Sequence, residues 1–198
     1  AWYRAPRVPE GLRLPTMETS DVPIVVTDFE PETIEAWHYY WNFSRQRKTD
    51  ARMDDTTAAG GKRSICVYAT GDGAALSCDI RPRLWDIDRF PTAKLSYRIP
   101  PGVPVGLWLH AFKSADVGQG AVCVGGTPAR VVGPYRDLQK VTLLDDDRWH
   151  EVTLDARAIR EVFPGVKLLQ MFRFATRDNG TEGQQFWFDD FKILRDGA

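Results

Sequence analysis

Gly183-Gln184-Gln185-Phe186-Trp187-Phe188-Asp189-Asp190-Phe191-Lys192-Ile193-Leu194 closes the chain and decides its fold class. Phe186, Trp187, Phe188 and Phe191, with Ile193 and Leu194, suit a pleated, half-buried surface. Asp does not. A strand that places Asp189 and Asp190 side by side needs a bulge, a cation partner or an edge held in water. The rest of the chain is then expected to form the sandwich that this strand closes.

Working outward, Arg177-Asp178-Asn179-Gly180 is a turn, and Lys167 to Thr176 alternates with Phe172 and Phe174 inward and Met171 and Arg173 outward. Asp155 to Phe163 has a helical pattern, with Asp155 able to cap it and Pro164-Gly165 to end it. Trp149 to Leu154 and Lys140 to Leu144 read as strands, and Gly118 to Pro134 as a strand flanked by loops. Val105 to Lys113 puts Val105, Leu107, Leu109 and Ala111 on one face and Trp108, His110 and Phe112 on the other. Thr92 to Ile99 turns Leu95, Tyr97 and Ile99 inward and Lys94, Ser96 and Arg98 outward. Ser64 to Tyr68 and Ala75 to Ile80 read as a hairpin about Thr70-Gly71-Asp72-Gly73. Residues 44–62 read as a long loop with one short strand near Ala51 to Met53, and Pro31 to Trp41 as a helical turn. Ile24 to Glu30 is the first strand, and residues 1–23, with Pro6, Pro9, Pro15 and Pro23, form an extended arm or linker. Short strands separated by turns, with little helix, predict an all-β antiparallel β-sandwich, a jelly roll, over residues 24–198.

The 198 residues suffice for one sandwich core. A net charge of −1 argues against a nucleic-acid partner. No apolar run approaches the ~20 residues that span a bilayer, so membrane insertion by a helix is not expected. Opening at Ala1 reads as a mature or excised piece, with other domains of the same polypeptide as possible partners.

Residue chemistry narrows the function further. Cys66 and Cys78, if opposed across their hairpin, would be close enough for a disulfide; otherwise both are buried thiols, and Cys123 is a free thiol. His38, His110 and His150 show no zinc-binding spacing, and no phosphate-loop or Gly-x-Ser-x-Gly pattern occurs. Two carboxylate pairs, Asp28 with Glu30 and Asp86 with Asp88, have the spacing a retaining glycosidase could use on one strand face. His110, Arg173, Tyr135 and Arg136 are the residue types of a lyase, a base and a charge neutraliser. Of the seven tryptophans some fill the core, and any surplus suits a sugar-stacking surface; the alternative is that all seven are structural. Trp108, His110 and Arg173 point away from the core, and an aromatic floor with a cationic wall suits a sugar, especially an anionic one. Trp108 could instead pack under residues 1–23, and Trp37 and Tyr40, with Tyr39, Trp41 and Trp85, could line a rim site.

Four segments resemble a known family. They are Asp28-Phe29-Glu30, Gly61-Lys62-Arg63-Ser64-Ile65-Cys66-Val67, Trp149-His150-Glu151-Val152-Thr153-Leu154-Asp155, and Phe186-Trp187-Phe188-Asp189-Asp190-Phe191. In this order they resemble the galactose-binding-like jelly rolls that serve as non-catalytic carbohydrate-binding modules of secreted bacterial polysaccharide-degrading enzymes. The resemblance implies a module that binds a poly- or oligosaccharide and is secreted, periplasmic or cell-surface. It also implies a structural calcium between the first and last strands, held by Glu30 and Asp189 with Asp28 and Asp190 as neighbours. A polysaccharide lyase or glycosidase and a structural or adhesion module are the alternatives.

Overall fold

The computed structural model describes residues 24–27, 30, 41–43, 48–76, 78–80, 85–114, 117–126, 135–175 and 180–196. In chain order the strands are β1 (Ile24–Thr27), β2 (Trp41–Phe43), β3 (Thr49–Asp54), β4 (Ser64–Ala69), β5 (Cys78–Ile80), β6 (Trp85–Asp86) and β7 (Thr92–Arg98). They continue with β8 (Gly106–Ser114), β9 (Val117–Gly126), β10 (Tyr135–Val141), β11 (Trp149–Asp155), β12 (Leu168–Ala175) and β13 (Gln185–Leu194). A 3-10 helix, Ala156–Glu161, follows β11, and the Asp155 carboxylate caps it by accepting from the Arg157 N–H. Among the described residues no helix is long and apolar enough to cross a membrane.

Two sheets stack. The first runs β11-β7-β13-β4-β3, with β1 also paired to β13; the second runs β10-β9-β8-β12-β5-β2, with β6 on β12. The pairing is antiparallel throughout except that β10 lies parallel to β9. This is the expected jelly-roll β-sandwich. The expected alternation supplies its core: Leu95, Tyr97 and Ile99 of the first sheet meet Leu107, Leu109 and Ala111 of the second within one buried cluster.

The closing strand shows why it carries two acids. Phe186 and Phe188 are buried, and so are Phe191 and Ile193, so the inward phase slips by one residue at Asp189-Asp190. The register against β7 slips at the same place, from Asp189↔Ser96 to Lys192↔Lys94. One extra residue on one strand is a β-bulge, and Asp190 sits there at φ 49. Along β13, Gln185 to Phe188 pair with β4, and Phe191 to Ile193 pair with β1. The bulge is the point where the last strand changes partners.

Several local expectations are corrected. β4 and β5 belong to different sheets, so the Ser64–Ile80 hairpin does not form. Ala74 and Leu76 are fully buried and carry the chain across the core, with Leu76 at φ 37. Cys66 is accordingly a buried free thiol, and no bridge joins it to Cys78. The helical segment is a 3-10 helix, and the short strand within 44–62 runs over Thr49–Asp54. The arm at 1–23 and residues 31–40 of the expected helical turn lie outside the described residues, while Trp41, the last residue of that turn, instead opens β2.

Candidate functional site

Two regions gather the residues singled out by sequence. At the junction of the chain's ends, β1 runs beside β13, and Glu30, Asp189 and Asp190 all approach the loop at residues 59–63. Glu30 Oε1 accepts from the Lys62 and Arg63 N–H groups. Asp189 Oδ2 accepts from Ala59 N (2.9 Å) and Gly60 N (3.3 Å), and its Oδ1 from Asp190 N (2.8 Å). A Cβ on Gly60 would come within 2.8 Å of Asp190 Oδ2, so that glycine admits the carboxylate. Asp190 also pairs with Lys192 at 3.5 Å. Asp189 is fully buried, and burial pushes its carboxyl up to about 6 although three amide N–H groups favour the charged form. Among the described residues no three His, Cys, Asp or Glu side chains are arranged as ligands of one metal ion. What Glu30 and Asp189 hold is backbone N–H. Asp28 lies outside the described residues.

The same loop is tied to the outer face of the first sheet. Asp54, at the end of β3, accepts from Trp187 Nε1 at 2.8 Å and from both Thr56 N and Thr56 Oγ1. Thr57 Oγ1 accepts from Arg98 and from Trp149 Nε1, and the Arg98 guanidinium lies 4.9 Å from the Trp187 ring.

The second region is the outer face of the second sheet. Registers place Asp137, Cys123, Trp108, Arg173, Asp79 and Asn42 in one row across β10, β9, β8, β12, β5 and β2. Five strand spacings make this row about 24 Å long. The adjacent row holds Tyr135, Ala121, His110 and Met171. Trp108, His110 and Arg173 thus share a face, as alternation implies. Exposure corrects the role of Trp108. It is 0% exposed, so its indole is a packed layer beneath the face rather than an open stacking platform. His110 and Phe112 stay half-buried, and the Phe112 ring lies over Gly118, where a Cβ would meet it at 3.8 Å. Phe112 is the aromatic to which sequence reasoning gave no role; Gly118, which pairs with it, was the available signal. Trp85 is also fully buried, which removes it from a rim site, and Trp37 and Tyr40 lie outside the described residues.

The enzymatic constellations fare unevenly. Asp88 is held by Arg160 through both oxygens (2.7 and 2.9 Å), and Asp86 accepts from the Asp88 N–H, so this pair serves a turn and an ion pair. Tyr135, His110 and Arg173 fall on one face by register, while Arg136 pairs with Val122, whose side chain is in the core.

No protein-family model and no curated protein matches the sequence. Solved structures do match. A family 11 carbohydrate-binding module of the cellulosomal cellulase Lic26A-Cel5E of Clostridium thermocellum superposes with a TM-score of 0.52 at 9% identity, covering 89% of this chain and 96% of that one. The chain has the β-sandwich fold of carbohydrate-binding modules. The C-terminal family 22 carbohydrate-binding module of Clostridium thermocellum Xyn10B matches with a TM-score of 0.47 at 9% identity, over 89% of this chain and 98% of that one. The Endo-D glycoside hydrolase domain of Streptococcus pneumoniae R6 matches with a TM-score of 0.46 at 14% identity, over 76% of this chain and 21% of that one.

Proposed function

We propose that this chain is a non-catalytic carbohydrate-binding module, exported as part of a polysaccharide-degrading or polysaccharide-holding protein, that binds a poly- or oligosaccharide on the outer face of its second sheet. The observation that carries this reading is the β8–β12 register, Arg173 opposite Trp108 and Met171 opposite His110, on a face where His110 and Phe112 keep part of their surface open. The fold shared with a family 11 module adds support. By register Asp137, Arg173, Asp79 and Asn42 occupy one row across this sheet, and these residue types suit a chain of hydroxyls. Arg173 would favour a carboxylated or sulfated sugar. Trp37 and Tyr40 remain candidates for the rim of such a site.

Affinity electrophoresis through gels containing neutral or anionic polysaccharides tests the proposal. Retardation on at least one, weakened by Arg173→Ala and by Phe112→Ala, is the expected result. Free migration on every polysaccharide would refute it and favour a structural or adhesion module. New reducing ends or unsaturated products on incubation would instead establish the enzymatic alternative, with Tyr135, His110 and Arg173 as its residues.

A structural calcium is proposed at the junction of the ends, with Glu30 and Asp189 as carboxylate ligands and Asp28 and Asp190 beside them. Carboxylates from the first and last strands approach one loop, and Asp189 is a buried acid whose ionised form would gain from a hard cation. Bound to the folded state alone, calcium would stabilise it by mass action. Chelator should lower the melting temperature and calcium restore it; an unmoved transition would leave the carboxylate clasp on the loop amides as the whole of the junction.

A further inference from the structure

The connection from β10 to β11 runs beside the segment that joins β7 to β8: Leu144 N donates to Tyr97 Oη, Asp147 N to Ile99 O, and Gly102 N to Asp145 Oδ2. A cavity of about 370 Å³ opens there, lined by Ile99, Val103, Val105, Gly126, Gln139, Val141, Thr142, Leu143 and Asp145. That volume is at the lower end of small-molecule sites, which run from about 300 to 1,000 Å³. Its floor is aliphatic: Ile99, Val103 and Val105 are buried. Its rim is polar, with Gln139, Thr142 and Asp145 exposed.

The rim is held in place by unusual backbone. Gln139 sits at φ 46, inside the register break of β10 against β9. A non-glycine residue in the left-handed region is strained and persists where its surroundings hold it. Here the hold is the side chain, whose Nε2 donates to Asp137 Oδ1 (2.7 Å) and to Gly126 O (3.2 Å). Both amide hydrogens are therefore spent, and the amide carbonyl is what Gln139 has left to offer. Gly126, at φ 75, is required by the same geometry, since a Cβ there would meet Val105 O at 2.3 Å.

We propose that this cavity is a second sugar site, one that takes the end of a neutral saccharide chain. The inference rests on the carbohydrate-binding reading and adds to it a separate location and a class of ligand. The lining offers acceptors, the Gln139 carbonyl and the Asp145 carboxylate, whose Oδ2 also accepts from the Gly102 N–H at 3.2 Å, plus the Thr142 hydroxyl, and among the described residues it includes no cationic side chain. Such a set pairs with hydroxyl donors and repels carboxylate or sulfate, the opposite preference to a face carrying Arg173. The aliphatic floor accepts the C–H face of a ring. A cavity of this size, closed below by Ile99, Val105 and Gly126, fits a terminal ring rather than the middle of a strand.

The test is amide chemical-shift mapping on the isotopically labelled intact chain, titrated with arabinose, xylohexaose and a uronic-acid oligosaccharide. Arabinose and xylohexaose are expected to shift Gly126, Gln139, Thr142 and Asp145 with equal effect per mole of chain ends. Thr142→Val, and Asp145→Asn, which keeps an acceptor for the Gly102 N–H, should each weaken this response at least tenfold while leaving the remaining spectrum in place. Shifts confined to β8 and β12 would overturn the cavity site and leave the sheet-face reading standing. Equal shifts at the cavity with the uronic-acid chain would overturn the neutral preference. No shift anywhere with any sugar, together with free migration in the gels, would overturn both readings.

Discussion

Trp187→Phe removes one hydrogen bond whose partner is a buried charge. Trp187 is 6% exposed and Asp54 likewise 6%, and the 2.8 Å Nε1–Oδ2 bond joins β13 to the end of β3. Hydrogen bonds to charged groups contribute about 1.5–3 kcal/mol. The smaller ring also leaves about 40 Å² less apolar area buried, or about 1 kcal/mol at 25 cal/mol per Å². The expected loss near pH 7 is therefore about 3 kcal/mol, read as a shift in urea midpoint followed by circular dichroism, with an unchanged slope. Acid should shrink it. Burial raises the Asp54 carboxyl, but hydrogen bonds from Thr56 and Trp187 outweigh that and hold it below the ordinary value of 3.8. A carboxylate with a depressed folded-state pKa contributes stability that is present above its unfolded value and is lost as pH falls through the folded one. Without Trp187 that depression is smaller, so less is lost on acidification. Below about pH 3.8, the value of the unfolded carboxyl, the difference should narrow toward the roughly 1 kcal/mol that the lost apolar area leaves. A difference under about 1 kcal/mol at pH 7, or one as large at pH 3 as at pH 7, would refute the account of this bond.

Two further outcomes follow from packing. Gly126→Ala places a Cβ 2.3 Å from Val105 O at φ 75, so urea unfolding should show a loss of at least about 2 kcal/mol; a neutral substitution would mean that β9 ends differently. Burial pushes the thiols of Cys66 and Cys123 up to about 11 and about 12. Both should resist iodoacetamide at pH 8 in the native protein and label fully in urea, as peptide mass mapping would show, and rapid native labelling of either would contradict their burial.

The sandwich was legible because its signals are local. Leu95, Tyr97 and Ile99, and Leu107, Leu109 and Ala111, alternate cleanly, and each set reaches the core. The bulge was legible too, since Phe186 and Phe188 are two apart, Phe191 and Ile193 are two apart, and the step between the pairs is three. What was not legible depended on which sheet a strand joins. Cys66 and Cys78 looked opposed across a short turn, yet Ala74 and Leu76 between them are core residues, and the chain changes sheets there. Trp108 showed the phase of an outward residue, and phase gives direction without saying whether that direction is open. The cavity was invisible for a similar reason. Ile99, Val103, Val105 and Gln139 come from separate segments, and the parallel pairing of β10 with β9 that brings Gln139 to them leaves no periodic trace.

The bulge offers a test that separates backbone from carboxylate. In an ordinary strand Gly is worse than Ala by about 0.5–1 kcal/mol, because it loses more freedom on folding. At Asp190 the order should reverse. With φ at 49, an L-residue there bears about 1–2 kcal/mol of left-handed strain that glycine does not. Asp tolerates the region better than most residues, which is one reason a second acid can stand at this position. Asp190→Gly and Asp190→Ala both remove the Lys192 ion pair and any part the carboxylate has in holding a cation, so those losses cancel in the comparison. What remains is conformation, and Asp190→Gly should be the more stable of the two by about 1 kcal/mol in urea unfolding. The usual order, with Ala ahead, would mean that β13 runs straight past Asp189. Gln185 to Phe188 and Phe191 to Ile193 would then share no common edge for β4 and β1, and the meeting of first and last strands that brings Glu30 and Asp189 to one loop would lose its structural basis.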